Sequence, residues 1–185
     1  MEGKTMSDAM QELYREHELI VRALEILERM AAVAGQADGS FLADAAQLSG
    51  FLKAFADKCH HGKEEGLLFP ALCRFGLSKE QGPVAVMLHE HGLGRQLIGK
   101  IDEAIEGEPF NAAAFTEAAR SYIYLLRNHI HKENNILFPM AETRLSEPEK
   151  LELKSNFRIH EQMEIGRDNH DELIALLDEL INKYL

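Results

Sequence analysis

Apolar residues recur every three or four positions over long stretches of the chain, and no useful stretch alternates apolar with polar, so the pattern predicts an all-α protein. A first helix is expected from about Ser7 to Ala34, with Met10, Leu13, His17, Ile20, Leu24, Leu27 and Ala31 on one stripe. After Gly35 to Gly39 a second begins, with Ser40 as N-cap. Its stripe holds Leu48, Leu52, Phe55, Cys59 or His60, Glu64 and Leu67, and Pro70 stops or kinks it just past Phe69. Pro83 suits the first turn of a third helix, whose stripe is Val84, Met87, His91, Gly94, Ile98, Ile101 and Ile105 before Gly107 and Pro109 break it. The fourth, about Asn111 to Phe138, aligns Phe115, Ala118, Tyr122, Leu125, His129, Glu133 and Ile136, and Pro139 closes it. Ser146 and Glu149 form a capping box that opens a C-terminal helical segment to Tyr184, broken near Asn156 or Gly166. Long helices with short connections predict an up-and-down four-helix bundle over about residues 7–140. The extension over about 146–185 should pack outside it or at one end, the whole of 1–185 forming one domain.

The stripes carry polar residues that an ordinary core would reject. His17, His60, His91 and His129 fall on the apolar faces of four different helices, and Glu64 and Glu133 continue two of those faces. A lone inward histidine is usually a hydrogen-bonded core residue. Here an internal repeat ties the coincidences together: HHGKEEGLLFP (60–70) aligns without a gap on HIHKENNILFP (129–139), and Glu16, His17 and Leu19 match Glu90, His91 and Leu93. A pseudo-twofold axis should relate the two halves. Burying carboxylates and imidazoles together costs several kcal/mol for each unpaired charge, roughly, and a multivalent cation offsets that. Histidines from four helices with two central carboxylates form the donor set with which bundles hold paired iron or manganese.

The repeat also sorts the remaining histidines. His61 and Glu65 align with Ile130 and Asn134 and lie one step off the stripe, which predicts rim positions. His131 and His89 point away from the centre. Further along, His160/Glu164 has the same HxxxE spacing, and a bend at Gly166 would let His170 or Glu164 reach the centre as an additional metal ligand. Tyr14 and Tyr122 lie on or beside inward faces.

Charge and composition narrow the partners. Lys and Arg total 20 against 31 Asp and Glu, and the net charge of −11 disfavours nucleic acid and anionic membrane surfaces. No apolar run approaches a membrane span and the N-terminal stretch turns charged early, so a cytoplasmic location is expected. Cys59 and Cys73, without CxxC spacing, read as free thiols.

His17, then HHGKEEGLLFP, then LHEHGLGR, then NHIHKENNILFP, resembles the bacterial form of the hemerythrin-like family, also called the HHE cation-binding domain, over roughly residues 8–145. The resemblance implies a bundle holding two iron ions in a non-haem di-iron centre, with manganese or zinc as the other candidate metals. It makes His17, His60, His91 and His129 terminal ligands and Glu64 and Glu133 bridges. Two departures separate the chain from oxygen-carrying hemerythrins: His91 is followed four residues later by Arg95 where they have HxxxH, and the fourth helix has HxxxE where they have HxxxxD.

The implied function is to bind, sense or reduce a small oxidant such as dioxygen, peroxide or nitric oxide. With two histidines from each half, both ions should keep open positions. Irreversible oxidation by dioxygen is then expected in place of reversible carriage. Iron-sulfur repair members of the family carry an additional N-terminal cysteine-bearing domain, for which no room is expected before Ser7. The rival class is a helical interaction or signalling module whose metal is structural.

Overall fold

The structure is a computed structural model that describes residues 6–185, apart from the side chains at 167 and 168; the first five positions of the charged N-terminal stretch lie outside it. Among the described residues it is helical without strands. Helix α1 spans Asp8–Val33. Helix α2 runs unbroken over residues 39–74, beginning with Gly39–Phe51 and ending with Phe69–Arg74. Its N-cap is Asp38, not Ser40: the Asp38 carboxylate accepts the Phe41 N–H at 2.9 Å, which places the first turn at Gly39. Helix α3 is Pro83–Glu106, and α4 runs over residues 112–144, capped by the Asn111 side chain on the Ala114 N–H. Helices α5, Glu147–Glu164, and α6, Arg167–Tyr184, form the extension. The Ser146–Glu149 capping box opens α5 as expected. The break falls at Gly166, whose φ of 78° only glycine adopts readily, and Asn156 lies inside α5.

Both α2 and α4 contain π turns, in which an N–H reaches back five residues instead of four. Leu52–His61 and Glu64–Leu68 in α2 and Glu133–Leu137 in α4 have this form, with Gly62, Phe69 and Phe138 donating to the carbonyls of Asp57, Glu64 and Glu133. A π turn holds an extra residue, so the inward stripe advances by one. Leu68 and Leu137 are therefore buried where Leu67 and Ile136 were expected, and Ile136 is 51% exposed. The helices also continue through Pro70 and Pro139. An α-helical proline strikes the carbonyl four residues back and withholds its N–H, and the wider turn relieves both demands.

Helix α1 packs on α2 and α4, and α3 on α2 and α4, which closes the bundle; α5 and α6 lie outside it, against α1 and α2. No described helix is long and apolar enough to cross a membrane. Two apolar layers fill the interior. One contains Ile20, Leu24, Phe51, Phe55, Ile101 and Phe115, and the other Met10, Leu13, Phe69, Met87, Phe138 and Phe157. Between them lies a polar layer from residues near 17, 60, 91 and 129, buried on all four helices.

Candidate metal centre

The polar layer brings together all six residues that the stripes single out. His17, His60, Glu64, His91, His129 and Glu133 are buried, and their side chains converge. Glu133 Oε2 lies 3.2 Å from His17 Nε2 and 3.1 Å from His129 Nε2. Glu64 spans the gap in the same manner, with Oε1 3.7 Å from His60 Nε2 and Oε2 3.4 Å from His91 Nε2. Each carboxylate thus touches one histidine of either half, as the pseudo-twofold relation requires.

His61 joins them, which the sequence reading did not expect. It is 4% exposed and not on the rim, because the π turn over Leu52–His61 turns both adjacent histidines inward. Its ring stacks on His91, centroids 3.9 Å apart and planes at 17°, and lies 5.5 Å from the ring of His129. Donor atoms fall into two groups, each mutually within 4.8 Å: His61, Glu64, His91 and His129, and His17, His60, Glu64 and Glu133. The imidazoles therefore divide three and two, where the repeat alone predicts two and two. Neither C-terminal candidate takes part. Glu164 is exposed at the end of α5, and His170, beyond the bend at Gly166, sits half-buried against Phe55 with its ring 5.9 Å away. His89 and His131 are exposed, as expected.

Every converging histidine is held from behind. His60 Nδ1 meets Glu16 at 2.7 Å, His91 Nδ1 meets Glu65 at 2.7 Å, His129 Nδ1 meets Glu90 at 3.0 Å, and His61 Nδ1 meets Asp57 at 3.4 Å. His17 Nδ1 meets the Asn134 amide oxygen at 2.7 Å, and Tyr14 donates to the Asn134 carbonyl at 2.5 Å. A carboxylate or amide oxygen accepts, so Nδ1 donates and Nε2 is the nitrogen left facing the centre, the orientation a metal ligand needs. Lysines of the repeated H-x-x-K-E motif anchor two of these acceptors: Lys63 reaches Glu16 at 2.5 Å, and Lys132 pairs with Glu90. Glu16, Glu90, Lys63 and Lys132 were not assigned a role from sequence, although the repeat that selects the histidines duplicates them too. Asp57 lies outside that repeat, and Glu65 was placed only at the rim.

The halves differ in cover. Lys63 is fully buried, with Glu12 at 2.7 Å, Glu161 of α5 at 2.9 Å and the Phe157 ring 6.0 Å from its ammonium, whereas the Lys132 side chain is 33% exposed. Helix α5 approaches closely because position 62 is glycine; a Cβ there would stand 2.5 Å from His160 Nε2, which itself lies 3.1 Å from the Lys58 carbonyl.

Among the described residues, the buried side-chain nitrogens and oxygens without a hydrogen-bond partner are Nε2 of His17, His60 and His61 and both carboxylate oxygens of Glu64 and Glu133. All belong to this cluster and all face inward. Leaving such groups unsatisfied costs about 1–3 kcal/mol each, more for charged ones, so the donors fit bound metal cations far better than they fit each other. Electrostatics agrees. Burial opposes charge on His129, yet Glu133 and a hydrogen bond to Glu90 outweigh it and push its pKa up to about 10; burial likewise opposes charge on Glu133, and His129 and His17 hold it well below the ordinary carboxylate range. His61 goes the other way, driven well down by burial and by the neighbouring His91.

Residues 8–141 match the family model of the hemerythrin HHE cation binding domain. The chain belongs to this family. Curated relatives of the hemerythrin-like chain include the iron-sulfur cluster repair protein YtfE of Yersinia pestis strain Pestoides F, 32% identical over 133 residues, which covers 69% of this chain and 59% of the relative. YtfE of Yersinia pseudotuberculosis serotype O:1b is 37% identical over 103 residues, covering 52% and 46%. The hemerythrin-like chain thus spans less than two thirds of these relatives. Membership implies binding of metal cations, and the inward donors of α1 to α4 suit that role.

Proposed function

We propose that this chain holds two iron ions, one by His61, His91 and His129 and the other by His17 and His60, with Glu64 and Glu133 bridging, and that a small diatomic or peroxide ligand binds the second. The three-and-two division of the imidazoles carries the reading. His61, His91, His129 and Glu64 gather on one side and His17, His60, Glu64 and Glu133 on the other. If Glu133, 3.1 Å from His129 Nε2, also serves the first ion, that ion has five donors and the second four, leaving room in the second's donor set for an exogenous ligand. On this reading His61 supplies from α2 the histidine that Arg95 denies α3, which favours one open ion over the two expected from the repeat, and reversible binding over irreversible oxidation.

Iron contributes redox chemistry and an exchangeable position when bound; the protein contributes selection. Phe138 stacks on His17 with centroids 5.3 Å apart, Phe69 on His91 at 5.8 Å, and apolar layers close both ends, so small ligands are favoured over large substrates. The reading is tested by iron content and by ligand stoichiometry on the oxidised protein. Two irons and one azide per chain are expected, together with a colour change that appears on oxygenation and reverses on degassing. Two azides per chain, or a single iron, would overturn it.

Similarity to YtfE supports a second reading, in which the iron is delivered to damaged iron-sulfur clusters. Iron-loaded protein would then restore an oxidant-damaged [4Fe–4S] enzyme while the metal-free protein would not. Retention of both irons through that incubation would exclude it.

A further inference from the structure

Arg95 lies one turn beyond His91 on α3 with its side chain 44% exposed, and by the rule for surface ion pairs it should matter little. Its partners argue otherwise. Nε donates to Asp57 Oδ1 at 2.8 Å and Nη2 donates to Glu65 Oε1 at 2.7 Å. Those are the same two oxygens that meet His61 Nδ1 and His91 Nδ1. A single rigid fork therefore fixes the acceptors behind two stacked histidines. The device is built on one side of the centre alone: where the register of the repeat is extended to these positions, Leu126, Asn134 and Val21 stand in place of Asp57, Glu65 and Arg95.

We propose that Arg95 is a positioning residue for the three-histidine half of the centre, holding Asp57 and Glu65 so that His61 and His91 keep their inward tautomer and orientation. The inference rests on the two-ion reading above. Backing partners of metal-bound histidines are worth roughly 10- to 100-fold in metal affinity. Asn134 and Glu16 hold the other half without Arg95, so the loss should fall on one ion only.

The test compares Arg95→Met and Arg95→Lys in the full chain, with Arg127→Met as control, since Arg127 makes a similarly exposed fork on Glu28, a carboxylate that backs none of the converging histidines. Cobalt(II) titration of metal-free protein reads the two binding steps, and nitrogen NMR of the metal-free imidazoles reads tautomer and hydrogen bonding. Arg95→Met should weaken one step about tenfold or more and leave the other within about twofold. It should shift the ring resonances of His61 and His91 but not those of His17 and His60. Arg95→Lys, which keeps the charge and loses the fork, should recover only part, and Arg127→Met should change neither. Equal weakening of both steps, or unshifted His61 and His91 resonances in Arg95→Met, would refute the positioning role. Should the wild-type chain take up fewer than two ions, the two-ion reading falls, and the metal-free resonances still decide Arg95 by themselves.

Discussion

Lys63 and Lys132 occupy equivalent places in the repeat and do equivalent work on Glu16 and Glu90, yet replacing them should have very different effects. Lys63→Met keeps most of the side-chain volume and removes a cation that is fully buried among Glu16 at 2.5 Å, Glu12 at 2.7 Å and Glu161 at 2.9 Å. Breaking a buried pair leaves an uncompensated charge, a loss of about 3–5 kcal/mol. Burial pushes the Glu16 carboxyl up while His60 and Lys63 hold it at about 2, so without Lys63 much of that hold is gone. Lys132 is 33% exposed with Glu90 as partner, and water replaces much of what it supplies, which limits Lys132→Met to about 1 kcal/mol. In thermal unfolding of metal-free protein at pH 7, Lys63→Met should lower the midpoint by roughly 6–20 °C and Lys132→Met by no more than about 4 °C. Adding Glu161→Gln to Lys63→Met should recover part of the loss by removing one stranded carboxylate. Equal shifts for the two lysines would show that the cover provided by α5 has no energetic weight, and a larger shift for Lys132→Met would invert the reasoning.

His61→Ala should remove one of two bound ions while His131→Ala removes none, measured by elemental analysis after anaerobic iron loading; equal contents would return the donor set to two and two. His91→Gln should reduce bound iron and His89→Gln should not, since only His91 faces the centre. The pKa of His129 stands at about 10 against an ordinary 6.5, so metal-free protein carries that proton at neutral pH, and a stabilisation complete below 6.5 is lost as pH rises through about 10. An incoming ion displaces it, so loading at pH 7 should release protons into weak buffer and apparent affinity should climb from pH 6.5 to 10; flat affinity would speak against histidine ligation. Glu16 works in the opposite sense: its stabilisation, present above about 4.5, should be lost as pH falls toward 2, followed by circular dichroism of the metal-free chain.

The bundle and most of its centre were legible because the histidines and carboxylates sit on apolar stripes and because the repeat states the same chemistry twice. His17 and His91 could be told from their neighbours by phase alone, and the capping box fixed the start of α5. Phase also explains the failures. Leu67, Ile136 and His61 were misplaced by one step, all within or just beyond π turns, whose extra residue leaves no mark in an apolar pattern read at 3.6 residues per turn. Pro70 was read as a stop or kink and Pro139 as a helix end for the same reason. The anchoring fork of Arg95 joins residues from two helices with no shared spacing, so one sequence gave no signal for it. His160 and Glu164 carried a suggestive spacing, but Glu164 is exposed at the end of α5 and His170 packs against Phe55.

The π turns bear on how such a centre can change over generations. Each is a helical turn with one residue inserted, and excising that residue would rotate everything beyond it by about 100° relative to what precedes it. Within Leu52–His61, where adjacent His60 and His61 both face inward, a one-residue deletion would move histidines off the shared face without altering the identity of either. The number of imidazoles offered to each ion is therefore written partly in chain length. Insertion–deletion alleles in α2, more than point substitutions, are the changes able to convert an asymmetric centre into a symmetric one in a single event.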